Sequence, residues 1–212
     1  MYKIGIILFD DFTDVDFFLM YDLLGRTTDS WTVKILGTKP FHQSNLGISV
    51  KTDGDISEVS EQDAILITSG KRGIPAALKN HDFMSSLILD PNKQLIGSIC
   101  SGSFILHELG LLKNKKLTTH PDAKTALQAL GGDVQDLPLV VNGNIATAGG
   151  CLSLMYLIGW LAERLFDVEK RKMIQNPLIP AGQLDIFEQL ISSTIKSAEI
   201  NNINDNTALE KT

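Results

Sequence analysis

The run LIGSICSGSFIL, residues 95–106, holds one cysteine cleared of bulk. Cys100 is flanked by Gly97, Ser98, Ser101, Gly102 and Ser103. A nucleophile between a strand and a helix sits on a tight turn. Small residues two positions either side relieve the crowding there, as in the G-x-S-x-G elbow. Ser98-Ile99-Cys100-Ser101-Gly102 meets that need with sulfur in place of oxygen. A thiol at a helix N-terminus meets unpaired N–H groups and the positive end of the dipole, so a lowered pKa is expected. The chemistry would be nucleophilic attack on an electrophilic carbon. The alternative is a small buried hydrophobe, the usual role of a free cysteine. Cys151, after Gly149-Gly150, also opens a helix, but no strand runs directly into it, so it is expected to be structural.

Two further stretches could serve that sulfur. Asp16 lies in VDFF among Val15, Phe17 and Phe18, where a carboxylate is costly unless paired or protonated. Asp14 and Asp22 compete with it for a place on the solvent face, and the residues alone leave that choice open. The turn Thr68-Ser69-Gly70-Lys71-Arg72-Gly73 could offer backbone N–H groups to a developing negative charge, or be an ordinary glycine-containing turn. Among the histidines, His120 ends KLTTH near the same sheet edge and could meet Cys100 in space. His107 lies two turns beyond the cysteine, and His42 and His81 fall in apparent loops. No HExxH, CxxC or His/Cys cluster points to a metal. No GxGxxG or Walker pattern points to a nucleotide. Neither a metal nor a cofactor is expected.

Positioning these residues requires strands that end near one another. YKIGIIL (2–8), WTVKILG (31–37), DAILITSG (63–70) and QLIGSI (94–99) read as strands, the first, third and fourth fully buried. ISVKTD (48–53) reads as part of a more exposed hairpin. Helices are expected over 14–25, 75–88, 101–112, 121–130, 151–166 and 184–198. KLTTH (116–120) reads as a short strand, and 137–149 as two strands around an Asn-Gly turn. Buried strands alternating with helices predict an α/β fold, a mostly parallel sheet covered on both faces. Sites in such sheets lie at the carboxyl ends of the strands. Asp10 to Asp16, Thr68 to Gly73 and Cys100 to Ser103 all arrive there.

Bulk properties bound the function. The chain has 212 residues, 43% hydrophobic and 21% charged, with net charge -6. That is one substantial domain, expected over 1–198, with a polar tail at 199–212 expected to fray. The negative charge and the lack of a basic run disfavour a nucleic-acid partner. No stretch is long and apolar enough for a bilayer, and the first residues do not read as a signal peptide. A cytoplasmic protein with two free thiols is expected.

Taken together, DVDFF, ITSGKRG, SICSGSFIL, LGLLKNKKLTTH and NIATAGG resemble the DJ-1/PfpI (ThiJ) superfamily over roughly residues 2 to 175, and most of all its isonitrile hydratase-like branch. The resemblance implies a flavodoxin-like three-layer sandwich with a cysteine nucleophile elbow, a homodimer, and a small-molecule substrate. It implies that Cys100 is the nucleophile and Asp16 the acid that contacts it. Ser101 then matches the hydroxyl after the nucleophile, and Gly70 and Lys71 the backbone donors near the sulfur. Thr68, Ser69, His120 and Tyr156 are expected around the pocket. The implied activity is hydration of isonitriles to N-substituted formamides. Alternatives are a redox-responsive protein with an oxidisable Cys100, and a glyoxalase or deglycase acting on reactive aldehydes. The chain departs from the branch at Leu19-Met20, Thr68-Ser69-Gly70, Pro121 and Leu152 to Tyr156, all around the expected pocket. Ser101 stands where PfpI-type proteases have histidine, which disfavours protease activity.

Overall fold

The apolar runs YKIGII, AILI and LIGSI form adjacent parallel strands, and their side chains are almost all buried. A strand covered on both faces has no reason to alternate polar and apolar residues. The computed structural model describes residues 1–27 and 29–209, with backbone only for 203–209. In chain order the strands are β1 (Tyr2–Ile7), β2 (Trp31–Gly37), β3 (Phe41–Gln43), β4 (Ser49–Lys51), β5 (Gly54–Asp55), β6 (Ala64–Ile67), β7 (Leu95–Ile99), β8 (Lys116–Leu117), β9 (Asp133–Val134), β10 (Leu139–Asn142) and β11 (Ile145–Ala148). The helices are α1 (Asp14–Leu24), α2 (Gly73–Lys79), α3 (His81–Ser86), α4 (Ser103–Glu108), α5 (Lys124–Ala129), α6 (Leu154–Leu165), α7 (Val168–Gln175) and α8 (Leu184–Leu209).

The main sheet runs β10-β11-β7-β6-β1-β2-β5 and is parallel except for the β10–β11 hairpin. One helical layer packs α1, α7 and α8 around α6, and α2, α3 and α4 pack together in another. The result is the expected α/β three-layer sandwich. The register of β7 against β11 pairs Ile99 with Ala148. Cys100 and Cys151 therefore leave neighbouring strands on the same edge.

Several expected elements differ, each for a local reason. The helix expected over 75–88 is two helices, broken at Asn80, whose side chain accepts the Phe83 N–H and caps α3. The strand expected over 116–120 is shorter, because the Thr118 N–H turns to the Thr147 hydroxyl. The tail expected to fray continues α8 to Leu209, with Asn202 accepting the Gly143 N–H; residues 210–212 lie outside the described residues.

Helix α7, VEKRKMIQ, has no apolar face to betray it and was not expected. It is held instead by Arg171, whose side chain is fully buried. Arg171 donates from Nε to Glu163 on α6 at 2.6 Å and from both Nη atoms to Glu188 on α8 at 2.8 and 2.6 Å. Its Nη2 also meets Ser192 at 2.9 Å. Gly159 makes the approach possible: a Cβ there would lie 2.8 Å from Ile195 and 3.1 Å from Arg171.

Candidate active site

The strand β7 ends at Ile99, and the next residue turns sharply. Cys100 has φ +50°, in the left-handed region that costs an L-residue about 1–2 kcal/mol. It opens a single 3-10 turn, Cys100–Gly102, that leads into α4. Two hydroxyls secure this backbone: Ser103 Oγ and Thr119 Oγ1 both donate to the Cys100 carbonyl, at 3.1 and 3.0 Å. Gly102 is required because a Cβ there would lie 2.7 Å from the Thr68 carbonyl oxygen. Gly102 is thus explained by the carbonyls of Ile67 and Thr68, and Gly97 by the side chains of Leu66 and Leu157.

Asp16 reaches the sulfur from the first turn of α1. The Thr13 N–H bonds the Ser69 carbonyl at 2.7 Å, tying the head of α1 to the turn after β6. Ser69 Oγ then donates to Asp16 Oδ2 at 2.5 Å. Asp16 is fully buried, and its Oδ1 completes no hydrogen bond. The choice left open by the sequence is resolved by the rivals' partners. Asp14 accepts from the Ser44 hydroxyl and the Leu46 N–H, while Asp22 pairs with Arg26.

Cys151 completes the cluster. Its sulfur lies 3.7 Å from that of Cys100, and the two sulfurs and an Asp16 carboxylate oxygen all fall within 4.8 Å of one another. The structural role expected for Cys151 missed this contact. Two thiols and one carboxylate are also a donor set for a thiophilic cation rather than for magnesium or calcium.

The electrostatics reverse one expectation. A helix start was expected to lower the Cys100 pKa. Instead burial pushes the thiol up, and the neighbouring Asp16 carboxylate pushes it further, with Cys151 adding to both. Burial and Asp16 raise Cys151 too. Attack by Cys100 therefore requires its proton to move, and the Asp16 carboxylate is the adjacent acceptor.

The cluster lies at the foot of a cavity of about 650 Å³, a size suited to a small organic molecule. Its polar lining includes Cys100, Cys151, Ser101, Ser69, Lys71 and His120. Ile74, Pro75, Leu78, Phe104, Ala126 and Leu130 make the walls largely apolar. Gly70 also lines it, but its N–H points at Ser101 Oγ, 3.3 Å away, so a substrate oxygen would have to share that donor. The His120 Nδ1 accepts the Asp122 N–H at 3.2 Å, so the neutral ring carries its proton on Nε2. No hydrogen bond joins it to Cys100 among the described residues.

Thr68 and Tyr156 are not on the cavity wall. The Thr68 hydroxyl turns inward to the Ile7 carbonyl at 2.9 Å, and Tyr156 packs half-buried against the core. Thr119, which the sequence did not single out, acts through the Cys100 backbone. A hydroxyl before His120 carries no local sign of that role.

Residues 2–164 match the model of the DJ-1/PfpI family. The chain is 26% identical over 188 residues to the isonitrile hydratase of Pseudomonas putida, covering 86% of this chain and 81% of that one. It is 25% identical to protein DJ-1alpha of Drosophila melanogaster, covering 82% of each. Among solved structures, a ThiJ/PfpI family protein from Pseudomonas syringae superposes with TM-score 0.76 at 19% identity, covering 94% of this chain and 89% of that one.

Proposed function

The chain belongs to the DJ-1/PfpI family, and from that premise we propose that it is a cysteine-dependent enzyme that hydrates isonitriles to N-substituted formamides. The observation that carries the reading is the Cys100 sulfur beside the buried Asp16 carboxyl at the foot of an apolar-walled cavity. The likeness to a protein named isonitrile hydratase supports the substrate class. An isonitrile suits such a site. It is neutral, it is slim at the reacting end, and its terminal carbon accepts both a proton and a nucleophile. We further propose that the acting unit is a homodimer.

The steps balance with one water and no cofactor. Asp16 takes the Cys100 proton and delivers it to the terminal isonitrile carbon as the sulfur bonds to that carbon. The product is an S-bound thioimidate, R–N=CH–S. Asp16 then removes a proton from a water that adds to the same carbon, while the nitrogen is protonated. Collapse of this adduct breaks the C–S bond, returns the proton to Cys100 and releases R–NH–CHO. A positioned carboxyl can serve as acid and base in turn, and the covalent step divides one difficult hydration into two easier ones.

The apolar walls set the expected preference. Ile74, Leu78, Phe104 and Leu130 suit an alkyl or aryl group on the nitrogen, and Lys71, Lys79 and Asp122 are the charged groups of the lining. Incubation with a simple alkyl isonitrile is expected to yield the matching formamide, read by mass spectrometry or proton NMR. A wild-type protein that releases no formamide, while Cys100 remains selectively alkylated at neutral pH, would overturn the hydratase reading and leave a reactive thiol with another substrate.

A further inference from the structure

Cys151 has no task in the hydration steps, yet it lies in van der Waals contact with the sulfur that performs them. We propose that Cys100 and Cys151 form a reversible redox pair, in which a hydroperoxide oxidises Cys100 to a sulfenic acid and Cys151 captures it as an intramolecular disulfide. The inference shares Cys100 with the hydratase reading but does not rest on turnover.

Three observations support it. The first is distance. Two sulfurs 3.7 Å apart need to close by only roughly 1.7 Å to reach a bond of about 2.05 Å. The second is the backbone. The Cys100 main chain is pinned by Ser103 and Thr119, so Cys151 must make the movement. It opens a 3-10 turn directly after Gly149-Gly150, and Gly150 has φ +102° with no neighbouring atom within 4 Å of where a Cβ would stand. Space is open over Gly150, while Gly149 is held by Pro138 and Ser153, so the movement falls on Gly150 and the Cys151 side chain. The third is the shared acid. Asp16 lies beside both sulfurs and can take a proton from either.

The electrons balance with a hydroperoxide as oxidant. Asp16 accepts the Cys100 proton, and the sulfur attacks the nearer peroxide oxygen. The O–O bond breaks, leaving Cys100–SOH and an alcohol that carries away the proton. The Cys151 sulfur then attacks the sulfenic sulfur and gives up its own proton to the departing hydroxide, so that water leaves as the S–S bond forms. Cys100 has lost two electrons to the peroxide in the first step, and the pair is restored when an external dithiol supplies two electrons and two protons. Without a nearby thiol the sulfenic acid would meet a second peroxide and pass to the sulfinic acid, which thiols do not reverse. The disulfide also occupies the hydratase nucleophile, so the same contact that protects Cys100 silences it.

The test treats the full chain with hydrogen peroxide under chelation, followed by intact-mass measurement and peptide mapping without reduction. The expected product is a species about 2 Da lighter, with a peptide linking Cys100 to Cys151, that dithiothreitol converts back. The Cys151→Ser variant is expected to accumulate a species about 32 Da heavier at Cys100, at least ~10-fold faster than wild type and resistant to dithiothreitol. Cys151→Ala serves as a second variant, with circular dichroism to establish folding. Wild type that proceeds to the heavier species as fast as the variants, with no linked peptide, would overturn the proposal. So would a Cys100 that peroxide leaves unchanged. Because mass is the readout, a protein inactive on isonitriles can still pass or fail.

Discussion

Cys100→Ala is expected to abolish formamide release, and Asp16→Asn to lower it by roughly 10²–10⁴-fold, the range for a positioned proton-transfer group. The two variants fail for different reasons. Alanine removes the sulfur that forms the covalent adduct, and Cys151, 3.7 Å away, has no part in the hydration steps. Asparagine keeps the shape of Asp16 and can still accept the Ser69 hydroxyl on its carbonyl oxygen. It cannot carry the Cys100 proton to the substrate. Burial still favours the protonated thiol in Asp16→Asn, and its sulfur has no carboxylate beside it to take the proton when attack begins. The loss should fall on kcat, with KM changed little, since Asp16 moves protons and the apolar walls hold the substituent on the nitrogen. Alkylation of Cys100 by iodoacetamide in Asp16→Asn separates the roles. A rate close to wild type would mean that the carboxylate is not the proton acceptor.

Arg171→Met is expected to destabilise the fold by about 3 kcal/mol, at the lower end of the range for breaking a buried ion pair. The lower end applies because Glu163 and Glu188 keep about a quarter of their side-chain surface exposed and can recover some water. What is lost is the tie between three helices, with Glu163 on α6, Arg171 on α7, and Glu188 and Ser192 on α8. Arg171→Lys should lose less, although lysine cannot reproduce the two-pronged contact with Glu188. Acid exposes the same network. The Arg171 guanidinium holds the Glu188 carboxyl below its ordinary value near 4.5, and Ser192 assists. A group depressed in the folded state contributes its full stabilisation above its unfolded pKa. That contribution fades as pH falls through the folded value. Urea midpoints should therefore drop below about pH 4.5 in wild type, and more shallowly in Arg171→Met. Equal acid slopes in the two proteins would sink the assignment.

The parts of the site that announce themselves in the sequence are those with local causes. Cys100 is legible because close packing demands glycine at 97 and 102, on either side of it. The buried strands are legible because a two-sided sheet leaves unbroken apolar runs. Asp16 could not be separated from Asp14 and Asp22, since their partners, Ser69, Ser44 and Arg26, are mostly distant in the chain. Cys151 was missed for a topological reason. Its contact with Cys100 arises because β11 lies beside β7, an adjacency that no local pattern encodes. The same limit hid α7, whose stability comes from Arg171 and two glutamates on other helices. The expectation of a lowered thiol pKa failed because it considered only the helix start. Burial and a carboxylate contributed from α1 outweigh it.

The left-handed backbone at Cys100 means that the elbow is held in a shape its own residue resists. Glycine adopts that conformation without penalty, while alanine does not. Cys100→Gly and Cys100→Ala are equally without a sulfur, yet the glycine protein should melt later, by the equivalent of about 1 kcal/mol. An inactive protein more heat-resistant than its alanine counterpart would give the thermal cost of keeping a nucleophile on this turn. It would also identify position 100 as a place where selection for stability and selection for activity pull in opposite directions.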